Sequence, residues 1–191
     1  MAVLRMVAGM MISMMMLSTE GDTMSESQHL ARLVAIEEIK QLKYAYLRHL
    51  DLKEWDAVAT LFTRDVVSTY SDGHHSYNGR DEVVGFLSSA LSHKRIVTKH
   101  QVHHPEITFN DALTEAKGIW YLTDAVINTV SRDPAKHFCI AGTAFYDERY
   151  VKTPEGWRIA AIGYKRVYEE TTTRNPGLVF EYKSRFLGDF G

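Results

Sequence analysis

Apolar residues between His29 and Leu50 recur at Leu33, Ile36, Ile39, Leu42, Tyr46 and Leu50, three and four positions apart. That spacing predicts one long helix with a single buried face. Asp51 then opens DLKEWDAVATLF, where Asp51 and Glu54 stand three apart, as a capping residue and its reciprocal partner do at the start of a second helix. A tight helix-to-helix corner is expected at Asp51. After Asp65, the segment VVSTYSDGHHSY reads as a strand, an Asp72-Gly73 turn and a second strand, and Arg80 to Ser92 reads as a third helix. Three β-rich runs follow: Ile96 to Phe109, Thr114 to Val130, and Phe138 to Tyr168, the last folded back at Thr153, Pro154, Glu155 and Gly156.

Helices gathered at one end of the chain and long strands at the other predict an α+β fold, in which an antiparallel sheet buries one face against helices. A sheet curved around helices leaves a pocket. The segment from Thr171 to Gly191 has no clear period yet carries Phe180, Tyr182, Phe186 and Phe190. That much aromatic surface predicts a tail laid over the pocket mouth or against a neighbouring subunit.

Composition narrows the picture. A chain of 191 residues that is 45% hydrophobic can bury one substantial core and does not require two. With 22 Lys and Arg against 24 Asp and Glu, no basic excess exists to neutralise a nucleic-acid backbone or track an anionic membrane. Cys139 is the only cysteine, so neither an intrachain disulfide nor a Cys-rich zinc site can form, and a reducing cytosol fits. Residues Met1 to Thr19 place Arg5 ahead of a Met-rich apolar stretch that resembles a signal peptide without an A-x-A-like cleavage site. The stretch is also short for a spanning helix, so no stable membrane insertion is expected. Two readings of the N-terminal extension, residues 1–27, stand: a misassigned start, with translation beginning at Met24, or a dispensable extension on the one hand, and an export signal or anchor on the other.

Five polar residues fall where chemistry could use them. Asp51 serves as an N-cap of the second helix, yet it also ends the first helix, whose dipole disfavours a carboxylate unless a cation or imidazolium compensates it. Tyr46 lies on the apolar face, so its ring is buried and its hydroxyl needs a partner: a backbone carbonyl, or the space in front of Asp51 one turn on. In TKHQVHHP, strand alternation would put His100 and His104 on one face and His103 on the other. That spacing matches no common zinc motif and supplies no nearby third ligand, whereas a single imidazole acting as a general base needs only a carboxylate to fix its tautomer. Alternation also sets Asp124 in the apolar row Ala116, Gly118, Trp120, Leu122 and Val126, with Arg166 similarly placed on the last strand beside Ala160, Ile162 and Tyr164. An acid there must be paired or neutral, and Arg166 could be its partner in a structural ion pair or in a site.

Four segments in this order, IEEIKQLKYAYLRHLD, HQVHHPEIT, WYLTD and GYKRVYEE, resemble the SnoaL-like branch of the nuclear-transport-factor-2-like superfamily, and most closely its bile acid 7α-dehydratases. The resemblance runs from about Ile36 to Glu170; the first residues, the VSRDPAKH connection and the tail are not matched. It implies a cone-shaped α+β barrel over residues 28–170, with a curved antiparallel sheet wrapped on three helices. It also implies a homotrimer, with Tyr46, Asp51 and His100 as catalytic residues and Asp124 and Arg166 supporting them. The implied reaction is loss of water from a hydroxysteroid, most closely the 7α-hydroxyl of a 3-oxo-4-ene bile acid derivative, as free acid or coenzyme A thioester. No cofactor or metal would be needed, because the enone takes up the electrons. The same superfamily hosts scytalone-type dehydration, dehydrochlorination, ketosteroid isomerisation and non-catalytic steroid binding, since a fold alone does not fix a function.

Overall fold

The computed structural model describes residues 24–70, 73–174 and 182–189. The expectations for the N-terminal extension before Met24, and those on Asp72, Phe180 and Phe190, lie outside the described residues. The chain divides into two compact units, Met1–Leu33 and Val34–Gly191.

The described part of the first unit holds the opening turns of helix α1 (Glu26–Leu52), which begins earlier than the apolar period suggests. Ser25 starts it. Its backbone N–H donates to Gln28 Oε1 at 2.7 Å and its Oγ accepts from the Gln28 N–H at 3.2 Å, a reciprocal cap that satisfies two donors the helix leaves open. Leu30 and Leu33 are exposed, so Leu33 does not belong to the buried stripe expected of it.

The second unit contains the rest of α1, helices α2 (Trp55–Thr60) and α3 (Arg80–Leu91), and strands β1 (Phe62–Tyr70), β2 (His75–Asn78), β3 (Ile96–Phe109), β4 (Glu115–Asn128), β5 (Phe138–Thr153) and β6 (Gly156–Thr173). The strands form one curved mixed sheet in the order β2-β1-β6-β5-β4-β3. Hairpins make all neighbours antiparallel except β1 and β6, which run parallel, with Val67 opposite Ala161 and Thr69 opposite Gly163. The all-antiparallel expectation fails at this one seam, because no hairpin joins β1 to β6: α3 and strands β2 to β5 intervene, and β6 comes back beside β1 running the same way. β6 also runs past Tyr168 to Thr173, pairing Thr171 with Ile140 and Thr173 with Phe138, so the aperiodic tail begins in a strand.

The core lies between the sheet and the helices. Ile39, Leu47, Val58, Phe62, Val66, Val83, Trp120, Leu122, Ile159 and Ile162 are buried there, and each such side chain removed from water contributes roughly 1.5–3 kcal/mol. Position 142 must be small: a Cβ on Gly142 would stand 2.4 Å from the Tyr168 carbonyl oxygen, where β5 and β6 shift register between Thr143 and Ala144.

Two local expectations change. α1 continues through Asp51 to Leu52, Lys53 turns the chain with φ of 62°, and Glu54, with no side-chain cap bond, occupies the N-cap of α2. Asp51 is therefore not a cap. Strand β3 carries an irregularity between His103 and Glu106, and His104 has φ of 48°. The bulge turns His104 to solvent instead of onto the inner face with His100.

Candidate active site

Freed from capping, the Asp51 carboxylate accepts three hydrogen bonds from β3. Thr98 Oγ1 donates to Oδ1 at 2.7 Å, the His100 backbone N–H to Oδ2 at 2.9 Å, and His100 Nδ1 lies 2.7 Å from Oδ1. A carboxylate is acceptor-only, so Nδ1 donates in this bond and Nε2 is the ring nitrogen that Asp51 leaves unengaged. The His100 side chain is 10% exposed.

β4 sets Asp124 directly opposite His100. Arg166 on β6 clasps it with a fork, Nη1 to Oδ1 at 2.5 Å and Nη2 to Oδ2 at 2.8 Å, while Glu169 Oε2 lies 3.2 Å from Nε. Burial works against the guanidinium charge, but the bonds and charge of Asp124 outweigh it and hold the Arg166 pKa above its ordinary value. The expected partnership between these two is present.

Tyr46, also on α1, is 1% exposed. Burial first, then the neighbouring Tyr70 and Tyr146 phenols and Glu148, push its pKa far up, so it stays an O–H donor at neutral pH. Tyr46, His100, Asp124 and Arg166 line one cavity of about 150 Å³, walled by Leu50, Tyr70, Phe86, Leu122, Tyr146 and Tyr164. Asp51 stands behind His100, joined to it by hydrogen bonds. The five residues singled out from the sequence thus come together, four on the wall and one behind it.

Sequence reasoning missed other members. Tyr70, 4% exposed, has a hydroxyl with no hydrogen bond of good geometry. Its ring stacks on Phe86 at 5.7 Å and meets Tyr164 at 5.8 Å. Beneath the cavity, Lys43 on α1 forms an ion pair with Glu148 on β5, both wholly buried. Tyr150 donates to Glu148, and Trp120 Nε1 donates to the Tyr150 oxygen at 2.8 Å. Burial pushes the Lys43 amine below its ordinary pKa while Glu148 pulls it back. Both signals were available: Lys43 stands four residues after Ile39 on the helix stripe, and Glu148 alternates with Tyr146 and Tyr150.

Of the tail, the described residues 182–189 place the Phe186 ring 5.0 Å from Lys53 Nζ, and Lys53 also donates to the Leu91 carbonyl at the end of α3. Leu91 lines the cavity. Among the described residues no group of three potential ligands could hold a metal, and no helix is long and apolar enough to cross a membrane.

Many solved structures are similar, among them the following three. A protein assigned as a scytalone dehydratase from Novosphingobium aromaticivorans aligns with a TM-score of 0.63 at 21% identity, over 79% of this chain and 93% of that one. A hexachlorocyclohexane dehydrochlorinase from Novosphingobium barchaimii aligns with a TM-score of 0.63 at 17% identity, over 83% and 100%. A third, from N. aromaticivorans and described as NTF2-like with a cystatin-like fold, gives 0.58 at 18%, over 74% and 87%. At these identities the likeness is one of fold. The sequence itself matches the SnoaL-like domain over residues 31–162, taking in α1 from its second turn, the Asp51–His100 pair and Asp124. The chain belongs to the SnoaL-like domain family.

Proposed function

We propose that the protein is a cofactor-independent lyase that eliminates water from a hydroxylated ring, with His100 as the base. One observation carries this reading: an imidazole fixed by a half-buried carboxylate at 2.7 Å, opening onto a cavity walled by phenols. In the proposed step, His100 Nε2 takes a proton from the carbon next to the one bearing the hydroxyl. Asp51 holds the imidazole and stabilises the imidazolium that forms. The Tyr46 phenol, kept protonated by its burial, donates a hydrogen bond to the departing hydroxyl or to the oxygen on which charge develops, and the imidazolium gives its proton up to the leaving oxygen, so that water departs and His100 is restored. Asp124 and Arg166 neutralise each other and fix the wall beside His100. The names of the fold's neighbours, a dehydratase and a dehydrochlorinase, both describe eliminations and support the class.

The finer reading takes the substrate as a 7α-hydroxy-3-oxo-4-ene steroid. There the C6 proton is acidic because the carbanion spreads through the enone to the C3 oxygen, and a conjugated 4,6-diene results with no metal or cofactor required. The sequence resemblance supports it. The cavity volume favours a second reading: about 150 Å³ accommodates roughly one six-membered ring. A steroid would enter by its reacting end only, whereas a one- or two-ring alcohol of the scytalone type would fit with less left outside.

Incubation with 7α-hydroxy-3-oxo-4-cholenoic acid, its 7β epimer, the corresponding thioesters and scytalone, followed by absorbance and product analysis, tests both. A dienone formed from the 7α compounds alone supports the steroid reading. Dehydration of scytalone alone supports the smaller substrate, and no elimination from any of them would refute the proposal.

A further inference from the structure

The proposed elimination uses Tyr46, His100 and Asp51 but leaves the buried pair beneath them without a task. Lys43 and Glu148 are both fully withdrawn from water. Two ions in such a place cost desolvation that their attraction often does no more than offset, and apolar residues of the same volume commonly serve stability as well. The pair's surroundings are specific. Lys43 Nζ stands 3.3 Å from the centroid of the Tyr146 ring and 4.9 Å from that of Tyr46, so one ammonium lies against two of the phenols that wall the cavity. Glu148 fixes the ammonium, and is itself held by the Tyr150 hydroxyl, which Trp120 orients in turn. Room for this chain of contacts exists because residue 118 is glycine: a Cβ there would stand 2.9 Å from the Tyr150 ring and 3.1 Å from Trp120 Nε1.

A cation against an aromatic face is attracted to its electrons and draws them away from the ring's substituents. Applied to a phenol, that makes the hydroxyl a stronger hydrogen-bond donor. Lys43 lies one helical turn before Tyr46 and two before Asp51, so it also ties the helix that carries the donor and the carboxylate to the strand that carries Tyr146.

We infer that Lys43 is a positioning residue, which, locked by Glu148, holds the rings of Tyr46 and Tyr146 in place and polarises their hydroxyls toward the cavity. This rests on the cavity being the site of elimination. The double variant Lys43→Met/Glu148→Gln removes both charges and leaves Tyr150 an acceptor, so it is expected to fold. Two measurements on the full chain separate the possibilities. The first, NMR of protein labelled with [13Cζ]tyrosine, requires no substrate. The resonances of Tyr46 and Tyr146, assigned by Tyr→Phe changes, are expected to move in the double variant, while those of Tyr121 and Tyr168 stay. The second is the kcat and KM split on the substrate that the wild type dehydrates. kcat is expected to fall about 10-fold with KM nearly unchanged, as loss of a transition-state hydrogen bond's strength would produce. Should the double variant fail to fold, Lys43→Gln/Glu148→Gln puts two neutral side chains that can hydrogen-bond at the same positions, and the same directions are expected. Unmoved resonances overturn the inference, as does an unchanged kcat in a folded variant. If the wild type dehydrates nothing, the functional reading fails by itself, and the NMR alone decides whether the ammonium acts on the two phenols.

Discussion

A carboxylate at the last turn of a helix faces the negative end of the helix dipole. Asp51 lies there, and it meets that cost with three hydrogen bonds from Thr98 and His100 rather than by capping the next helix. The same bonds fix which nitrogen of His100 is protonated. Replacing His100 with Ala should therefore lower kcat by about 10²- to 10⁴-fold, the span a positioned base supplies, with the fold intact by circular dichroism. Asp51→Asn should cost about as much, since an amide can donate to Nδ1 and leave the wrong tautomer facing the substrate. Retained turnover in either folded variant would refute the base assignment. Helix spacing set Tyr46 about one turn ahead of Asp51, but it was the resemblance of the four segments to the SnoaL-like branch that joined them to His100. What spacing could not supply was the competition for Asp51: a cap and a histidine partner look alike until the strand that brings Thr98 and His100 is placed.

At the level of elements, alternation identified the inner row of β4 from Ala116 to Val126 correctly, and the hairpin of β5 and β6 followed from its turn residues. It failed where β3 inserts a residue. The β3 bulge reverses His104, whereas Arg166, which alternation set in the row of Ala160, Ile162 and Tyr164, precedes the irregularity facing Thr143/Ala144 and keeps its face. Bulges are set by the partner strand and by crowding, which no single-strand pattern contains. The parallel seam between β1 and β6 was invisible for the same reason: the pairing joins distant segments, and neither carries a mark of direction. Two glycines test this account of crowding. Gly142→Ala would drive a methyl into the Tyr168 carbonyl opposite the strand position of Asp124, and should lower stability by about 1–3 kcal/mol. Gly85→Ala, on the exposed side of α3 with nothing within 4 Å, should raise stability by about 0.5–1 kcal/mol. Urea unfolding of both variants checks the opposite signs; a stable Gly142→Ala would mean that the β5–β6 contact is looser than described.

For the molecule as a whole, buried phenols set the alkaline limit. Tyr46, Tyr146 and Tyr150 have pKa values pushed well above the ordinary 10.0, in each case by burial first. The folded state keeps these protons where the unfolded chain would release them. Their stabilisation is thus complete below about pH 10 and declines as pH rises from there toward the folded values. Phenolate absorbance from these residues should appear together with loss of far-ultraviolet dichroism above about pH 10, as one transition. Phenolate forming ahead of unfolding would show the rings to be open to solvent. The seam between β1 and β6 has a consequence of another kind, in the timing of synthesis. β1 leaves the ribosome early with only the short β2 beside it, and its other edge finds no mate until Ile159 and Ala161 have been made. Until then the nascent chain carries an open strand edge, so the sheet can be completed only after β6 has been made, and the interval before it is when this protein has most need of a chaperone.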